Sequence, residues 1–224
     1  DLLKLKNPEK AKILAGFFKT GKGQYGEGDI LLGVNVPDQR KVAKRYLNAT
    51  LKNIQGLLSS KVHEQRLTAL LILIAKYQTA DTATKKRIFD FYLKNTKYIN
   101  NWDLVDISAG YIVGDYLLDK ERTILYRLAA SKQLWERRIA IMATFKFIRE
   151  DQFEYTLNIS KMLLNDEHDL IHKAVGWMLR EVGKRDKEIE KRFLRKHYKK
   201  MPRTMLRYAI ERFSEAERRF YLSK

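Results

Sequence analysis

The sequence predicts an all-α protein built as a stack of short helix pairs, and three observations lead there. Only Pro8, Pro37 and Pro202 interrupt 224 residues, so the stretch from Val42 to Lys200 contains no proline. Helix interiors exclude proline, and consecutive helices need such a stretch. Apolar residues recur at helical spacing, as at Leu67, Leu70, Leu71 and Ile74, then at Val105, Ala109, Ile112 and Tyr116, whereas strand signals are weak throughout. The third observation is a period. The segments EQRLTAL from Glu64, WERRIAI from Trp135 and IHKAVGW from Ile171 are alike, and a marked position recurs 36 residues from Arg66 to Trp102, 36 on to Arg138, 35 to Lys173 and 34 to Arg207.

A step of that size filled by two short helices is the period of HEAT, armadillo and TPR solenoids. A globular bundle with chance similarity is the competing architecture. The expected fold is a single domain, residues 1–224, a HEAT-like solenoid with a curved, concave basic face. In such a stack equivalent positions form rows, so Trp102, Arg138, Lys173 and Arg207 are expected in one row. Asp106, Met142 and Trp177 follow one helical turn later. Trp102, Asp106, Arg138, Lys173 and Trp177 are therefore expected on one side.

Charge names a class of partner. With 45 Lys and Arg against 27 Asp and Glu, the net charge is +18 and the pI about 9.9, well beyond what solubility requires. Nucleic acid is favoured over membrane because no run of about 18 apolar residues occurs and no signal-peptide pattern is present. A cytoplasmic, nucleoid-associated monomer is expected. The absence of cysteine excludes disulfides, a thiol nucleophile and a thiolate zinc site. Half of the excess charge lies in residues 184–224, and Lys191 to Lys200, KRFLRKHYKK, reads as a basic helix face over Phe193, Leu194 and Tyr198.

Several features have plain readings. The GKGQYG stretch, Gly21 to Gly26, has phosphate-loop spacing but follows a helical segment instead of a strand, which makes it a connection between helices. His168 and His172 share a helix face without a third ligand and read as surface or cap residues, so no metal is expected. Trp135 reads as packing. Asp103 belongs in the first turn of a helix, where the dipole favours a carboxylate. Asp106 is harder to place, since it interrupts the apolar run Leu104 to Val113 on a basic, nucleic-acid-facing surface. It either pairs with Arg138 or has chemical work to do. Trp102 and Trp177, in the same rows, are platforms for stacking or for a cation.

At these residues the sequence resembles the AlkD-type DNA alkylation repair proteins, monofunctional DNA glycosylases built from HEAT-like repeats. The resemblance is carried by NPEKA at Asn7, LGVNVPDQRK at Leu32, NNWDLVD at Asn100, LWERRIAI at Leu134, HKAVGWMLRE at His172 and TMLRYAIERF at Thr204. It implies that Asp106 is the catalytic carboxylate, that Trp102 and Trp177 line the lesion site, and that Arg138 and Arg180 grip the DNA backbone. Lys173 and Arg207 join these as phosphate contacts by their place in the row. The implied substrate is duplex DNA carrying N3- or N7-alkylated purines, with no cofactor. Phe17 and Asn35 stand where better-studied members carry Tyr and Gln. The competing functions are a non-catalytic repeat protein that recognises damaged or branched DNA by shape, and an adaptor for an acidic protein.

Overall fold

The computed structural model describes residues 1–223. Within them lie thirteen α-helices and no strand, Ile30 and Val62 making a single isolated bridge. The helices are α1 Pro8–Phe17, α2 Val36–Arg45, α3 Leu51–Leu58, α4 His63–Gln78, α5 Thr82–Lys94, α6 Trp102–Ala109, α7 Thr123–Ala129, α8 Leu134–Arg149, α9 Glu154–Met162, α10 Asp169–Arg185, α11 Lys187–His197, α12 Arg203–Ala209 and α13 Glu215–Leu222. The expected all-α repeat class is what forms.

The chain writes its own helix starts. Asn7 accepts from the Lys10 amide at 3.0 Å ahead of Pro8, and Asn35 accepts from the Asp38 amide at 2.9 Å. Thr50 with Asn53 and Ser214 with Glu217 form reciprocal capping boxes. His168 caps α10, accepting from the Leu170 amide at 3.1 Å, which is the cap role read from sequence.

Two compact units divide the chain, Asp1–Ser108 and Ala109–Lys224. In the first, α4 is the hub and packs against α2, α3 and α5. It is apolar nearly all round, with Leu67, Leu70, Ile72 and Leu73 buried, as a central helix must be. In the second, α8, α10 and α12 pack in succession, backed by α7, α9 and α11. The α10–α12 approach needs a glycine, because a Cβ on Gly176 would stand 2.4 Å from the Met205 carbonyl oxygen. Among the described residues no helix is long and apolar enough to cross a membrane.

The repeat register differs by one residue from the sequence alignment. Helices α4 and α8 both run sixteen residues. Arg66 donates to the carbonyl of Ser60 at 2.9 Å, while Arg137 donates to that of Ser131 at 3.1 Å. Arg137, not Arg138, thus repeats the bond of Arg66. Ser60 and Ser131 also accept alike, from the amides of Val62 and Gln133.

Candidate nucleic-acid interface

Arg138, Lys173 and Arg207 each occupy the fifth position of their helices, α8, α10 and α12. Trp102 departs from this pattern because it opens its helix. The preceding residues Thr96–Tyr98 form a 3₁₀ turn, and buried Asn101 takes the Trp102 amide on its side-chain oxygen at 2.8 Å. The indole is consequently half-buried at a helix start.

Around it the first unit builds a hollow of about 510 Å³, lined by Lys10, Ile13, Phe17, Asn35 and Trp102 among others. Phe17 is exposed and sits edge-on to Trp102 at 5.4 Å, and Phe18 lies tilted against it at 5.5 Å. Phe17 and Asn35, the two departures noted in the sequence, thus line the hollow that Trp102 lines.

A buried ionic network that the sequence reading missed supports this hollow. Phe18 stacks on the His63 ring at 4.5 Å. His63 is 1% exposed, with Nε2 2.8 Å from Asp103 and Nδ1 3.2 Å from Asp29, whose carboxylate also takes Arg66 at 2.5 Å. Burial opposes charge on His63, but hydrogen bonds to Asp103 and Asp29 outweigh it and lift the pKa to about 9. The ring is therefore an imidazolium at neutral pH, donating to a carboxylate on each side. Glu64, also buried, accepts from the amides of Leu32, Gly33 and Val34 at 2.8–3.3 Å, fixing the loop that leads into Asn35. The available sequence signal was His63, Glu64 and Arg66 within a segment otherwise apolar enough to be a core helix. Their partners are too distant in the chain to be paired from sequence.

Asp106 lies one turn beyond Trp102 on α6 and is half-buried. Its charge acts on Tyr92, whose phenol is raised above its ordinary pKa first by burial and, against the opposing Ser108 hydrogen bond, by Asp106. Tyr92 and Ser108, joined at 2.8 Å, pin α6 to α5.

In the second unit, Lys173 and Arg207 line a charged hollow of about 540 Å³ with Thr204 and Arg218. Lys173 is tied to Asp169 at 2.7 Å. Arg180 pairs with Glu211, which lines the same hollow together with Asp169. Trp177 is half-buried, its Nε1 donating to Glu181 at 3.0 Å, with the Phe145 ring 6.4 Å away. Arg138 is 4% exposed and donates to the Leu170 carbonyl at 2.5 Å. Trp102 and Asp106 belong to the first unit, and Arg138, Lys173, Trp177, Arg180 and Arg207 to the second.

The GKGQYG stretch lies in a run of turns after α1. The Gly23 amide is taken by Glu27 at 2.8 Å and the Gly21 amide by Gln24 at 3.0 Å, as suits a connection between helices.

Against models of known families, residues 1–213 match the DNA alkylation repair enzyme family. The chain belongs to that family. Among solved structures, a predicted DNA alkylation repair enzyme from Enterococcus faecalis superposes with a TM-score of 0.74 at 16% identity, covering 94% of this chain and 97% of its own. AlkD2 from Streptococcus mutans superposes at 0.58 with 16% identity, covering 92% and 98%. The smu.31 protein from Streptococcus mutans UA159 superposes at 0.56 with 18% identity, covering 78% and 89%. At such identities the likeness is one of fold. No curated protein matches the chain. As a DNA alkylation repair family member, the protein has DNA as its partner and repair of alkylation damage as its work.

Proposed function

We propose that the protein is a monofunctional DNA glycosylase that hydrolyses the N-glycosidic bond of positively charged N3- or N7-alkylated purines in duplex DNA. The observation that carries the reading is Asp106 on the helix that Trp102 opens, one turn from that indole, in a chain of net charge +18. A carboxylate on a phosphate-binding surface repels the ligand unless the reaction develops positive charge there.

An alkylated purine supplies that charge. As the bond to C1′ breaks, its electron pair moves to the base and neutralises the purine, so no general acid is needed. Cationic character passes to the sugar, where the Asp106 carboxylate stabilises it. Water then adds to C1′ and gives its proton to Asp106. Beside Asp106, Trp102 holds the cationic nucleotide by ring-face contact. In the second unit Trp177 offers a ring face of its own, and Lys173, Arg180 and Arg207 hold phosphates, whereas Arg138, expected among them, is buried and commits its guanidinium to the Leu170 carbonyl. The protein acts as a monomer on nucleoid DNA without a cofactor.

Incubation with methylated duplex DNA, followed by chromatography of the released bases, tests the reading. N3-methyladenine or N7-methylguanine is expected, and binding without base release overturns it.

A further inference from the structure

Helices α9 and α11 flank a groove of about 630 Å³ on the layer that backs α8 and α10. Its walls follow the repeat: Leu157 and Arg192, Asn158 and Phe193, and Lys161 and Lys196 stand 35 residues apart, the step from Arg138 to Lys173. Leu157, Ile189 and Phe193 contribute apolar surface, and Lys161, Arg192 and Lys196 contribute the charge, against Glu154 as the single acidic lining residue.

The two sides of α11 are treated differently. Lys187 and Lys191 bind Glu217, and Arg195 binds Glu188. Among the described residues, Lys161, Arg192 and Lys196 join no ion pair, and all three are exposed. The charges of Lys161 and Lys196 reach His197, whose pKa is lowered first by burial and then by Lys161, Lys196 and Lys200, with no carboxylate in opposition. A helix C-terminus accounts for a cation in its last turn. It does not account for Arg192 further back, nor for exposed Lys199 and Lys200 beyond the end.

We propose that the C-terminal end of the α9–α11 groove is a second nucleic-acid site, which holds the phosphate backbone of a DNA segment other than the one bound by α8, α10 and α12. Unpaired cations gain most from phosphates, whose binding releases condensed counterions. The partner is at hand because the family works on DNA. An acidic protein segment would satisfy the same charges, and the test separates the two.

The test uses the full chain and a short undamaged duplex, so its outcome is independent of base excision. Single-molecule mass measurement counts duplexes per protein at low salt with duplex in excess. Wild type is expected to carry two. Lys161→Glu/Arg192→Glu/Lys196→Glu is expected to carry one, with second-site affinity at least about tenfold weaker and excision of methylated bases unchanged. Lys161→Gln/Arg192→Gln/Lys196→Gln, with circular dichroism melting of both variants, guards against misfolding and should move the same way. The proposal is overturned if wild type never carries a second duplex, or if the variants carry two as wild type does. It is equally overturned if wild type carries one duplex and the groove instead binds a polyglutamate peptide that the variants lose.

Discussion

His63 on α4 donates through Nε2 to Asp103 at 2.8 Å, and this bond fastens the helix start that carries Trp102. Because Nδ1 faces Asp29 as well, neither carboxylate is buried without a partner, and the imidazolium is held between them.

His63→Gln should therefore destabilise the protein by on the order of 3 kcal/mol at neutral pH, following the rise from 6.5 to about 9. The sign is fixed by the raised pKa: the stabilisation is complete below about pH 6.5 and disappears as pH climbs through 9. Urea unfolding of wild type and variant between pH 6 and pH 10 checks it. The two curves should converge at the alkaline end, and parallel curves would contradict the ionic reading.

Glu64 closes three loop amides at once, and Glu64→Ala leaves them without a partner inside the protein. A loss of about 3 kcal/mol is expected, with Glu64→Gln costing less because its carbonyl still accepts. Gly33 in the same loop has φ of +81°, and a Cβ there would stand 2.1 Å from the Asn7 carbonyl oxygen. Gly33→Ala should cost more than about 2 kcal/mol. Thermal melting ranks all three.

Glu190 is 2% exposed on α11, with Oε1 unpaired. Burial lifts its pKa from 4.5 to about 8, against the opposing charges of Lys187 and Arg180. The folded protein then keeps a proton that the unfolded chain releases near pH 4.5, so this residue erodes stability as pH rises between 4.5 and 8. Glu190→Gln removes that cost. The variant should match wild type near pH 4 and exceed it by on the order of 4 kcal/mol at pH 8, and equal melting temperatures at pH 8 would refute this.

Much of the fold was legible because its determinants are local. Asn7, Asn35, Thr50 and Ser214 start helices by accepting from amides three residues on, and Leu67 to Ile74 declare a buried face by spacing alone. The repeat was legible to within one residue, and the error has a cause: both Arg137 and Arg138 follow Glu136, and only the carbonyl each reaches tells which repeats Arg66. The support of Trp102 was not legible, because Asp29, His63 and Asp103 meet across 34 and 40 positions. Asp103 looked complete as a helix-dipole residue, and it is in the first turn of α6. Its second role needed the partner's position. Asp106 stood out for the opposite reason, as a carboxylate within an apolar run.

The proposed reaction turns on Asp106. Base release from methylated duplex DNA by wild type and Asp106→Asn, measured side by side with their affinity for the same DNA, tests it directly. The account predicts that the variant loses excision by at least about a hundredfold while binding DNA as wild type does. Equal excision by the two proteins would contradict it.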